Sequence, residues 1–190
     1  MGKIIVSENV TLDGVVQDPT GDEGFPRGGW GGAGPVKGDV AKIVLDDALG
    51  TEAMLLGRRS YQFLATRWPS RSGVLADRLN SKPKYVVSST LSDPAWNNTT
   101  VLDGDVVSEV SKLKERVAGD INVAASARLV HTLMEHDLVD ELRLIVYPVV
   151  LGTGDRLYAE TSDKRPMRLV RAETIGDGLA FLTYERVRDA

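Results

Sequence analysis

Two adjacent arginines stand where a buried strand leads into a helix, in the segment AMLLGRRSYQFL. Gly57, Arg58, Arg59 and Ser60 form this junction, and the free backbone N–H groups of a helix start favour an anion. Arginines oppose the helix dipole at that position, so they indicate an external anionic partner, and guanidinium groups bind phosphate through paired hydrogen bonds. The Ser60 hydroxyl adds another donor. The pattern predicts a phosphate site, with exposed arginines in surface salt bridges as the alternative.

A second junction follows the strand-like run KYVVS and carries three hydroxyl groups, on Ser88, Ser89 and Thr90. In open α/β sheets, ligands bind beyond the carboxyl ends of the strands. Hydroxyl groups at that edge suit the ribose or the phosphate of a nucleotide. The same residue types are also common in ordinary turns, so this junction alone leaves both interpretations open.

A third junction, Ala124-Ala125-Ser126-Ala127, joins a predicted strand to a predicted helix. Ser126 is a candidate N-cap, and the small side chains around it let a ligand approach the backbone closely. A capped helix with small packing residues is an equally good interpretation of this junction by itself. Because three such junctions each follow a buried strand, together they favour a phosphate-bearing cofactor.

A carboxylate precedes a long glycine-rich segment near the N-terminus. Asp13 and Gly14 follow the first strand, and Asp13 is suited to contact a polar substrate, to transfer a proton or only to cap a turn. Segment 18–38 is rich in glycine and proline, and long segments without structure of their own often serve as lids. Trp30, in GGWGGAG, favours a lid because a large aromatic side chain needs a surface to cover. The alternative is a flexible surface loop.

Hydrophobic periodicity predicts the elements that position these junctions. Strands alternate with helices, which predicts an α/β protein with a mostly parallel central sheet covered on both faces. The chain ends in a predicted antiparallel hairpin that turns at Asp177-Gly178. A single domain, 1–190, is expected at this length. The predicted strands are 3–7, 53–56, 84–88, 99–102, 121–124, one beginning near 141, 167–175 and 179–187, and the predicted helices are 40–49, 60–66, 105–117 and 126–135.

Composition narrows the function classes. The net charge of −4 disfavours general nucleic-acid binding, no apolar run is long enough to span a membrane, and the N-terminus lacks the apolar region of a secretory signal. Cysteine is absent, which excludes disulfides and thiolate chemistry and fits a reducing, cytoplasmic location. His131 and His136 are five residues apart, a spacing that does not suit a helical metal site, so no metal is expected.

Four segments resemble the dihydrofolate reductase-like family typified by the C-terminal reductase domain of the bacterial bifunctional riboflavin-biosynthesis deaminase–reductase. The segments are KIIVSENVTLDG, MLLGRRSY, KYVVSST and LVHTLMEHDLVDELRLIVYPVVLGTGDRLY, which reach from residue 3 to about residue 158. The run LVDEL followed by PVVLGTG is the most specific part. The chain is expected to be a stand-alone member, without a deaminase domain. The resemblance implies a three-layer α/β fold, NADPH as hydride donor and a homodimer.

The resemblance also implies roles for particular residues, as follows. Gly57, Arg58, Arg59 and Ser60 are expected to hold cofactor phosphate, and Ser88, Ser89 and Thr90 to lie near the adenosine. Ala125, Ser126 and Ala127 are expected to face the pyrophosphate at a helix start. The nicotinamide and the substrate are expected to be bordered by Val6, Ser7, Asp13 and Gly14, with Trp30 on the substrate side.

Two departures from the family pattern bear on these expectations. Ala124 and Ala125 stand where the turn before the last helix usually carries glycine. Alanine is costly at positive φ, and its methyl group crowds a closely held pyrophosphate. The carboxylate that protonates the pteridine from the first helix of dihydrofolate reductases has no clear match, so dihydrofolate is disfavoured as the substrate.

The leading hypothesis is an NADPH-dependent reductase that transfers a hydride to a small polar heterocycle or carbonyl, with a riboflavin-precursor ribosylaminopyrimidine as one candidate. Hydride transfer requires mainly orientation and a dry site, because the cofactor supplies the chemistry. The rival is a non-catalytic ligand-binding or regulatory protein whose dinucleotide site is impaired. A flavin in place of NADPH is a third alternative.

Overall fold

The computed structural model describes residues 1–32, 37–176 and 178–187 of the chain. Residues 33–36 of the predicted lid and Asp177 of the predicted hairpin turn lie outside the described residues. The elements are, in chain order, β1 (Ile4–Thr11), α1 (Lys37–Gly50), β2 (Ala53–Gly57), α2 (Arg58–Ala65), α3 (Val74–Ser81), β3 (Lys84–Val87), β4 (Thr99–Leu102), α4 (Val106–Arg116), β5 (Ile121–Ala124), α5 (Ala127–Glu135), β6 (Glu141–Tyr147), β7 (Met167–Ile175) and β8 (Leu179–Arg186).

The strands form an eight-stranded mixed sheet in the order β4-β3-β2-β5-β1-β6-β8-β7. Neighbouring strands from β4 to β6 are parallel to each other. The last strand, β8, is antiparallel to both β6 and β7. The expected mostly parallel sheet, closed by a C-terminal antiparallel hairpin, is therefore confirmed.

The first strand lies in the middle of the sheet and reaches beyond its neighbour β5. The register of β1 with β5 ends at Ser7↔Ala124, whereas its register with β6 continues to Thr11↔Tyr147. β1 is therefore longer than the predicted strand 3–7, because β6 supports it after β5 has turned into α5. The strand order also reverses around β1, and ligands of α/β sheets bind beyond the carboxyl ends of the strands at such a point.

Helices cover both faces of the sheet, which confirms the expected three layers. On one face, α4 and α5 contribute fully buried side chains to a core that includes β1, namely Val110, Leu113, Val130 and Leu133. On the other face, Tyr61 of α2 and Leu79 of α3 pack over β2 and β3. Burial of each large apolar side chain contributes about 1.5–3 kcal/mol, so these two cores hold the strand ends in fixed relative positions.

The helix α3 has no counterpart in the sequence prediction. It buries only Ala76 and Leu79, and it begins after Gly73 without a capping hydrogen bond from a side chain. A helix of this length with two buried positions gives a weak periodic signal. The other elements agree with the prediction to within three residues at each end, apart from the C-terminal end of β1.

A buried ion pair fastens the N-terminal strand to the rest of the sheet. Lys114 of α4 pairs with Asp140, which directly precedes β6. The same carboxylate accepts a hydrogen bond from the backbone N–H of Ile4 at 2.8 Å. Because breaking a buried pair on one side costs about 3–5 kcal/mol, this contact strongly fixes the position of β1 between its neighbours.

Two further lysines are buried beside α1 and α3. The Lys82 ammonium donates to the Ala48 carbonyl at 2.6 Å and to the Thr51 hydroxyl at 2.7 Å. The Lys84 ammonium donates to three backbone carbonyls and lies 4.5 Å from the centre of the Trp96 ring. Burial lowers the pKa of each ammonium to about 8, because desolvation disfavours the charged form.

Candidate functional site

The junctions that follow β2 and β5 are hydrogen-bonded to each other. The backbone N–H of Gly57 donates to the Ser126 hydroxyl at 3.1 Å, and the Ser60 hydroxyl donates to the Ala125 carbonyl. The Ser126 hydroxyl donates onward to the Ala124 carbonyl at 2.9 Å. The structure thus joins the two junctions that were expected to hold the phosphate and the pyrophosphate of a cofactor.

The predicted side-chain cap at Ser126 is wrong. Ser126 is the N-cap residue of α5, but its hydroxyl makes no capping bond to the first N–H groups of the helix. The hydroxyl instead accepts from Gly57 on a different strand. Ser126 is therefore a brace between the β2–α2 and β5–α5 junctions, and its own backbone N–H donates to a third residue.

The two alanines of the third junction differ in conformation. Ala125 has a left-handed backbone with φ of +55°, whereas Ala124 is the last residue of the extended strand β5. A residue with a Cβ pays about 1–2 kcal/mol for the left-handed conformation. The expected conformational cost of a residue other than glycine therefore applies to Ala125. The hydrogen bond from the Ser60 hydroxyl to the Ala125 carbonyl helps to hold this strained backbone.

The acceptor on this junction is Glu8, which the sequence analysis missed. The Glu8 carboxyl accepts from the backbone N–H of Ser126 at 3.3 Å, and a backbone hydrogen bond from Ala125 also favours its ionised form. Burial outweighs both bonds and raises the pKa of Glu8 to about 8. A carboxyl group with a raised pKa thus occupies the backbone donors of the expected pyrophosphate turn.

A signal for Glu8 was present in the sequence. Successive side chains of a strand point to opposite faces, so Glu8 shares its face with Val6 and Val10, which belong to the core under α5. A single carboxylate between two apolar residues of one strand face indicates either a buried partner or a ligand. The partner could not be inferred, because Ser126 is 118 positions away.

The two arginines of the first junction are exposed at the start of α2. Arg58 donates to the Thr90 hydroxyl, which ties the second junction to the first. Arg59 pairs with Glu23 at 3.1 Å, and the Arg59 side chain is 71% exposed. Both guanidinium groups therefore lie beside the joined junctions, and one of them makes the surface salt bridge that the alternative interpretation required.

The second junction is a turn stabilised by its own serine. The Ser88 hydroxyl accepts from the N–H groups of Thr90 at 3.2 Å and Leu91 at 3.0 Å. Ser89 and Thr90 are exposed beyond it. Ser88 thus has the ordinary turn role, and the expected contact of this junction with an adenosine stays a prediction.

The Asp13 carboxylate holds a neighbouring loop. It accepts from the Thr11 hydroxyl at 2.7 Å and from the N–H groups of Gly152 at 2.7 Å and Leu151 at 3.1 Å. These bonds lower the pKa of Asp13 to about 2, with the Thr11 hydroxyl as the largest cause. Asp13 therefore carries no proton to donate at neutral pH, which disfavours it as a general acid. Gly14 beside it has a φ of +81°, which glycine adopts without strain.

The strand residues expected beside the nicotinamide lie on opposite faces of β1. The Val6 side chain is fully buried in the core, so Val6 has only backbone atoms to offer a ligand. Ser7 lies on the other face, where its hydroxyl accepts from the Asn122 amide at 2.8 Å. Asn9 follows on that face, and its Oδ1 is buried without a hydrogen-bond partner among the described residues. Asn9 is a second residue that the sequence analysis missed.

The described part of the glycine-rich segment is packed onto the end of β6. The Trp30 ring meets Tyr147 edge-on with the ring centroids 5.3 Å apart, and its Nε1 donates to the Gln17 carbonyl at 2.9 Å. The Tyr147 hydroxyl donates to the Gly31 carbonyl at 3.1 Å. The expectation that Trp30 covers a surface fits this contact, and the opening and closing of a lid stay a prediction.

Acidic residues of the same segment contact α2 and organise the loop. The Asp18 carboxylate is buried and accepts from the N–H groups of Glu23 and Phe25. Glu23 then reaches Arg59, and Asp22 lies 3.9 Å from Arg67. The glycine-rich segment therefore brings negative charge to the helix start at which a phosphate was expected.

Other site types have little support in the described ranges. No group of three metal-ligating side chains comes together there, and no described helix has the length and apolar character needed to cross a bilayer. A cavity of about 380 Å³ lies at the far end of α5, lined in part by Met134, Arg165 and Arg186. Its arginines already pair with Asp137, so this cavity is separate from the joined junctions.

The fold is that of dihydrofolate reductase-like proteins. A protein from Shewanella sp. PV-4 that is named for riboflavin biosynthesis superposes with a TM-score of 0.77 at 21% identity, covering 98% of this chain and 99% of the other. Dihydrofolate reductase from Enterococcus faecalis, in complex with NADP(H), superposes with a TM-score of 0.63 at 12% identity, with 97% and 96% covered. The Thermotoga maritima diaminohydroxyphosphoribosylaminopyrimidine deaminase/5-amino-6-(5-phosphoribosylamino)uracil reductase superposes with a TM-score of 0.62 at 16% identity, over 98% of this chain and 57% of the other.

Sequence comparison identifies both a relative and a protein family that match this chain. The uncharacterized protein YyaP of Bacillus subtilis (strain 168) is 28% identical over 194 aligned residues, which cover 96% of this chain and 94% of the relative. The family model described as the RibD C-terminal domain matches residues 2–181, which include β1, the three junctions and the braces between them. The chain therefore belongs to the RibD C-terminal domain family.

Proposed function

We propose that this protein is an NADPH-dependent reductase that transfers a hydride to a small polar heterocycle or carbonyl. A ribosylaminopyrimidine of the kind reduced in riboflavin biosynthesis is the leading substrate candidate. Membership of the RibD C-terminal domain family and the resemblance of the fold to reductases support the reductase class. The substrate candidate and the choice of NADPH are carried over from the neighbours, namely a deaminase/uracil reductase and a dihydrofolate reductase in complex with NADP(H).

One observation carries the proposal. Gly57 and Ser60, at the start of α2, are bonded to Ser126 and Ala125, at the start of α5. The bonds hold two helix N-termini side by side at the carboxyl edge of a parallel sheet, where backbone donors favour anions. A dinucleotide carries several phosphate groups in a row, so two joined anion sites suit it better than they suit a single phosphate.

The side chains around this edge fit a phosphate-bearing cofactor. Arg58 and Arg59 are exposed beside it and would hold phosphate through paired hydrogen bonds. Ser126 would stiffen the turn that meets the pyrophosphate. When bound, NADPH supplies the hydride. The protein's own residues orient it and exclude water, and Trp30 on Tyr147 places an aromatic cover at this end of the sheet.

The substrate would lie on the sheet face that carries Ser7 and Asn9. The buried Asn9 Oδ1 lacks a partner among the described residues, and a buried acceptor without a donor costs about 1–3 kcal/mol. An N–H group of a heterocyclic amide would satisfy it.

Cofactor titration tests the proposal. We expect NADPH to bind more tightly than NADH, as measured by the change in cofactor fluorescence. Arg58→Ala and Arg59→Ala should each weaken NADPH binding by about 10- to 100-fold, since a charge-assisted hydrogen bond contributes about 1.5–3 kcal/mol. Arg71→Ala removes an arginine that lies over Trp68 and should leave the affinity unchanged. Absence of binding of both cofactors would reject the reductase.

A non-catalytic ligand-binding or regulatory role is the second candidate. The left-handed Ala125 and the Glu8 carboxyl on the Ser126 N–H favour it, because both obstruct a pyrophosphate. A thermal-shift measurement separates the two functions. NADPH at 100 times its dissociation constant stabilises a binding protein by about 2.7 kcal/mol, whereas the regulatory protein should show no stabilisation by either nicotinamide cofactor.

We also propose that the protein is a homodimer. Val150, in the segment that follows β6, is 66% exposed, and a second copy packed on this segment would bury it. The mass from light scattering tests this. A dimer that Val150→Glu converts to a monomer supports this surface, and a wild-type monomer rejects the dimer.

A further inference from the structure

Glu8 and a cofactor phosphate would compete for the same backbone donors. The Glu8 carboxyl accepts from the N–H of Ser126 at 3.3 Å and from the backbone of Ala125. These are the groups at the start of α5 that the proposed reductase would present to a pyrophosphate. The packing of the fold does not require an acid here, since the same strand face carries valine before and after it, at Val6 and Val10.

The protonation state of Glu8 decides the outcome of this competition. An ionised carboxylate only accepts hydrogen bonds, so it retains the N–H groups of Ala125 and Ser126 and repels a phosphate. A protonated carboxyl group has an O–H donor. It can leave the N–H groups to the phosphate and donate a hydrogen bond to a phosphate oxygen as well. The two states of one side chain therefore have opposite effects on an anionic ligand.

We propose that Glu8 couples dinucleotide binding to a proton, so that the turn at Ala125 and Ser126 accepts a phosphate only when the Glu8 carboxyl is protonated. This inference rests on the proposed function, because it assigns a determinant of affinity to the same site. Burial has already brought the pKa of Glu8 to about 8, so both protonation states are populated at moderately alkaline pH. Binding of an anion should raise that pKa further and draw a proton from solution.

Charged and titratable groups lie on three elements next to Glu8, namely α2, α5 and β6. The pKa of Glu8 is raised by burial, and the hydrogen bonds from Ser126 and Ala125 oppose this. The neighbouring strand β6 pairs an apolar residue, Leu144, with it. The charged or titratable side chains on the elements next to Glu8 are Arg58, Arg59 and Tyr61 on α2, Arg128, His131 and Glu135 on α5, and Glu141, Arg143 and Tyr147 on β6. Arg143 is bonded to Glu141 and Asp47, and His131 to the Arg156 carbonyl.

The test is the pH dependence of NADPH affinity in matched variants. NADPH binding is titrated at pH 7 and pH 9 to the wild type, to Glu8→Gln and to Glu135→Gln. Glu8→Gln keeps the size and an acceptor oxygen but cannot ionise. Glu135, which accepts from the Ser162 N–H at the other end of α5, is the control carboxylate. Glu8→Ala serves as a second variant, and circular dichroism verifies that each variant is folded.

We expect the wild type and Glu135→Gln to bind NADPH about tenfold more weakly at pH 9 than at pH 7, as a single group with a pKa near 8 requires. Glu8→Gln and Glu8→Ala should show no such loss. Calorimetry at pH 8 in two buffers should detect proton uptake on binding by the wild type and none by Glu8→Gln. Equal pH dependence in the wild type and the Glu8 variants would overturn the inference and leave the reductase intact. Binding only after Glu8 is replaced would also overturn the inference, because the protonated carboxyl group would then obstruct the phosphate too, whereas absence of binding by every variant would reject both the inference and the reductase.

Discussion

Arg59 at the start of α2 donates a hydrogen bond to Glu23 of the glycine-rich segment across 3.1 Å. The two side chains are 36 positions apart in the chain, and their contact holds the glycine-rich segment against the first junction. A carboxylate therefore already lies on one of the two guanidinium groups that are proposed to hold phosphate. A bound phosphate would have to replace it.

Replacing Glu23 with glutamine should strengthen cofactor binding. Exposed ion pairs contribute about 0.2–1 kcal/mol, so Glu23→Gln should lower the dissociation constant of NADPH by a factor of about 1.4 to 5. The gain should shrink in high salt, where surface charges are screened. Fluorescence titration at two salt concentrations measures both effects.

Glu109→Gln is the matched control for this substitution. Glu109 also pairs with a surface cation, Lys112, at 2.8 Å, but it lies on α4. An equal gain from Glu109→Gln would show that a general change in net charge, and not the release of Arg59, accounts for the effect.

The left-handed Ala125 predicts a stabilising substitution. Ala125→Gly should raise the free energy of unfolding by about 1 kcal/mol, because glycine adopts positive φ without strain. Urea denaturation measures this. Ala124→Gly is the control, since Ala124 is extended in β5 and glycine inside a strand costs about 0.5–1 kcal/mol. The two neighbouring substitutions should therefore have opposite signs, and a loss of stability in both would contradict the strained conformation.

The buried lysines predict a stability that rises in alkaline solution. Burial lowers the pKa of Lys82 from 10.5 to about 8, so between these values the unfolded chain binds more protons than the folded chain. The free energy of unfolding then increases with pH between the two pKa values, by at most about 1.4 kcal/mol per buried lysine for each step of one in pH. Urea denaturation at pH 8 and pH 9.5 measures the increase for the wild type and for Lys82→Met.

Lys82→Met should remove about half of this rise, because the pKa of Lys84 is lowered to about 8 as well, whereas Lys112→Met, at an exposed position on α4, should leave it unchanged. Glu8 affects the free energy of unfolding at lower pH. Because its pKa is raised from 4.5 to about 8, it lowers that free energy as the pH rises between these two values. An identical slope in the wild type and in Lys82→Met would mean that the ammonium is effectively hydrated.

Removing the Trp30 side chain should release the glycine-rich segment. Trp30→Ala loses the edge-on contact with Tyr147 and the bond to Gln17, so trypsin should cleave after Arg27 at least about tenfold faster, as expected for a loss of more than about 1.4 kcal/mol of local stability. Tyr147→Phe keeps the ring and removes only the bond to Gly31, so it should have a smaller effect. Cleavage rates followed by mass spectrometry provide the comparison, and equal rates in all three proteins would exclude Trp30 as the anchor.

The sequence was sufficient for the sheet because its strands are short apolar runs between clear turns. The bounds of β4, β5 and β7 agree with the prediction, and each is bordered by glycine, proline or a polar run. The end of β1 was missed because β6, which supports it to Thr11, is distant in the sequence. Local patterns do not contain the register between strands.

The strand-to-helix junctions of the candidate site could be predicted from the sequence, but the hydrogen bonds that connect them could not. Residue types alone indicated Arg58, Arg59 and Ser126. The hydroxyl of Ser126, however, accepts from Gly57 and not from its own helix, and Glu8 was overlooked. Both errors have one cause. A hydroxyl or a carboxylate takes whichever donor the tertiary structure brings near it, and local capping rules do not include that competition.

The central position of β1 has a consequence for synthesis on the ribosome. Ile4 is synthesised well before its bond partner Asp140, which lies 136 positions later, and the strands on either side of β1 are β5 and β6. During translation the apolar residues of β1 therefore have neither neighbouring strand to pair with until every element from α1 to α4 has been made. Contacts of such long sequence separation form late, and an exposed apolar strand is prone to aggregate or to recruit a chaperone. The central strands of the sheet can therefore pair only after much of the rest of the chain has been synthesised.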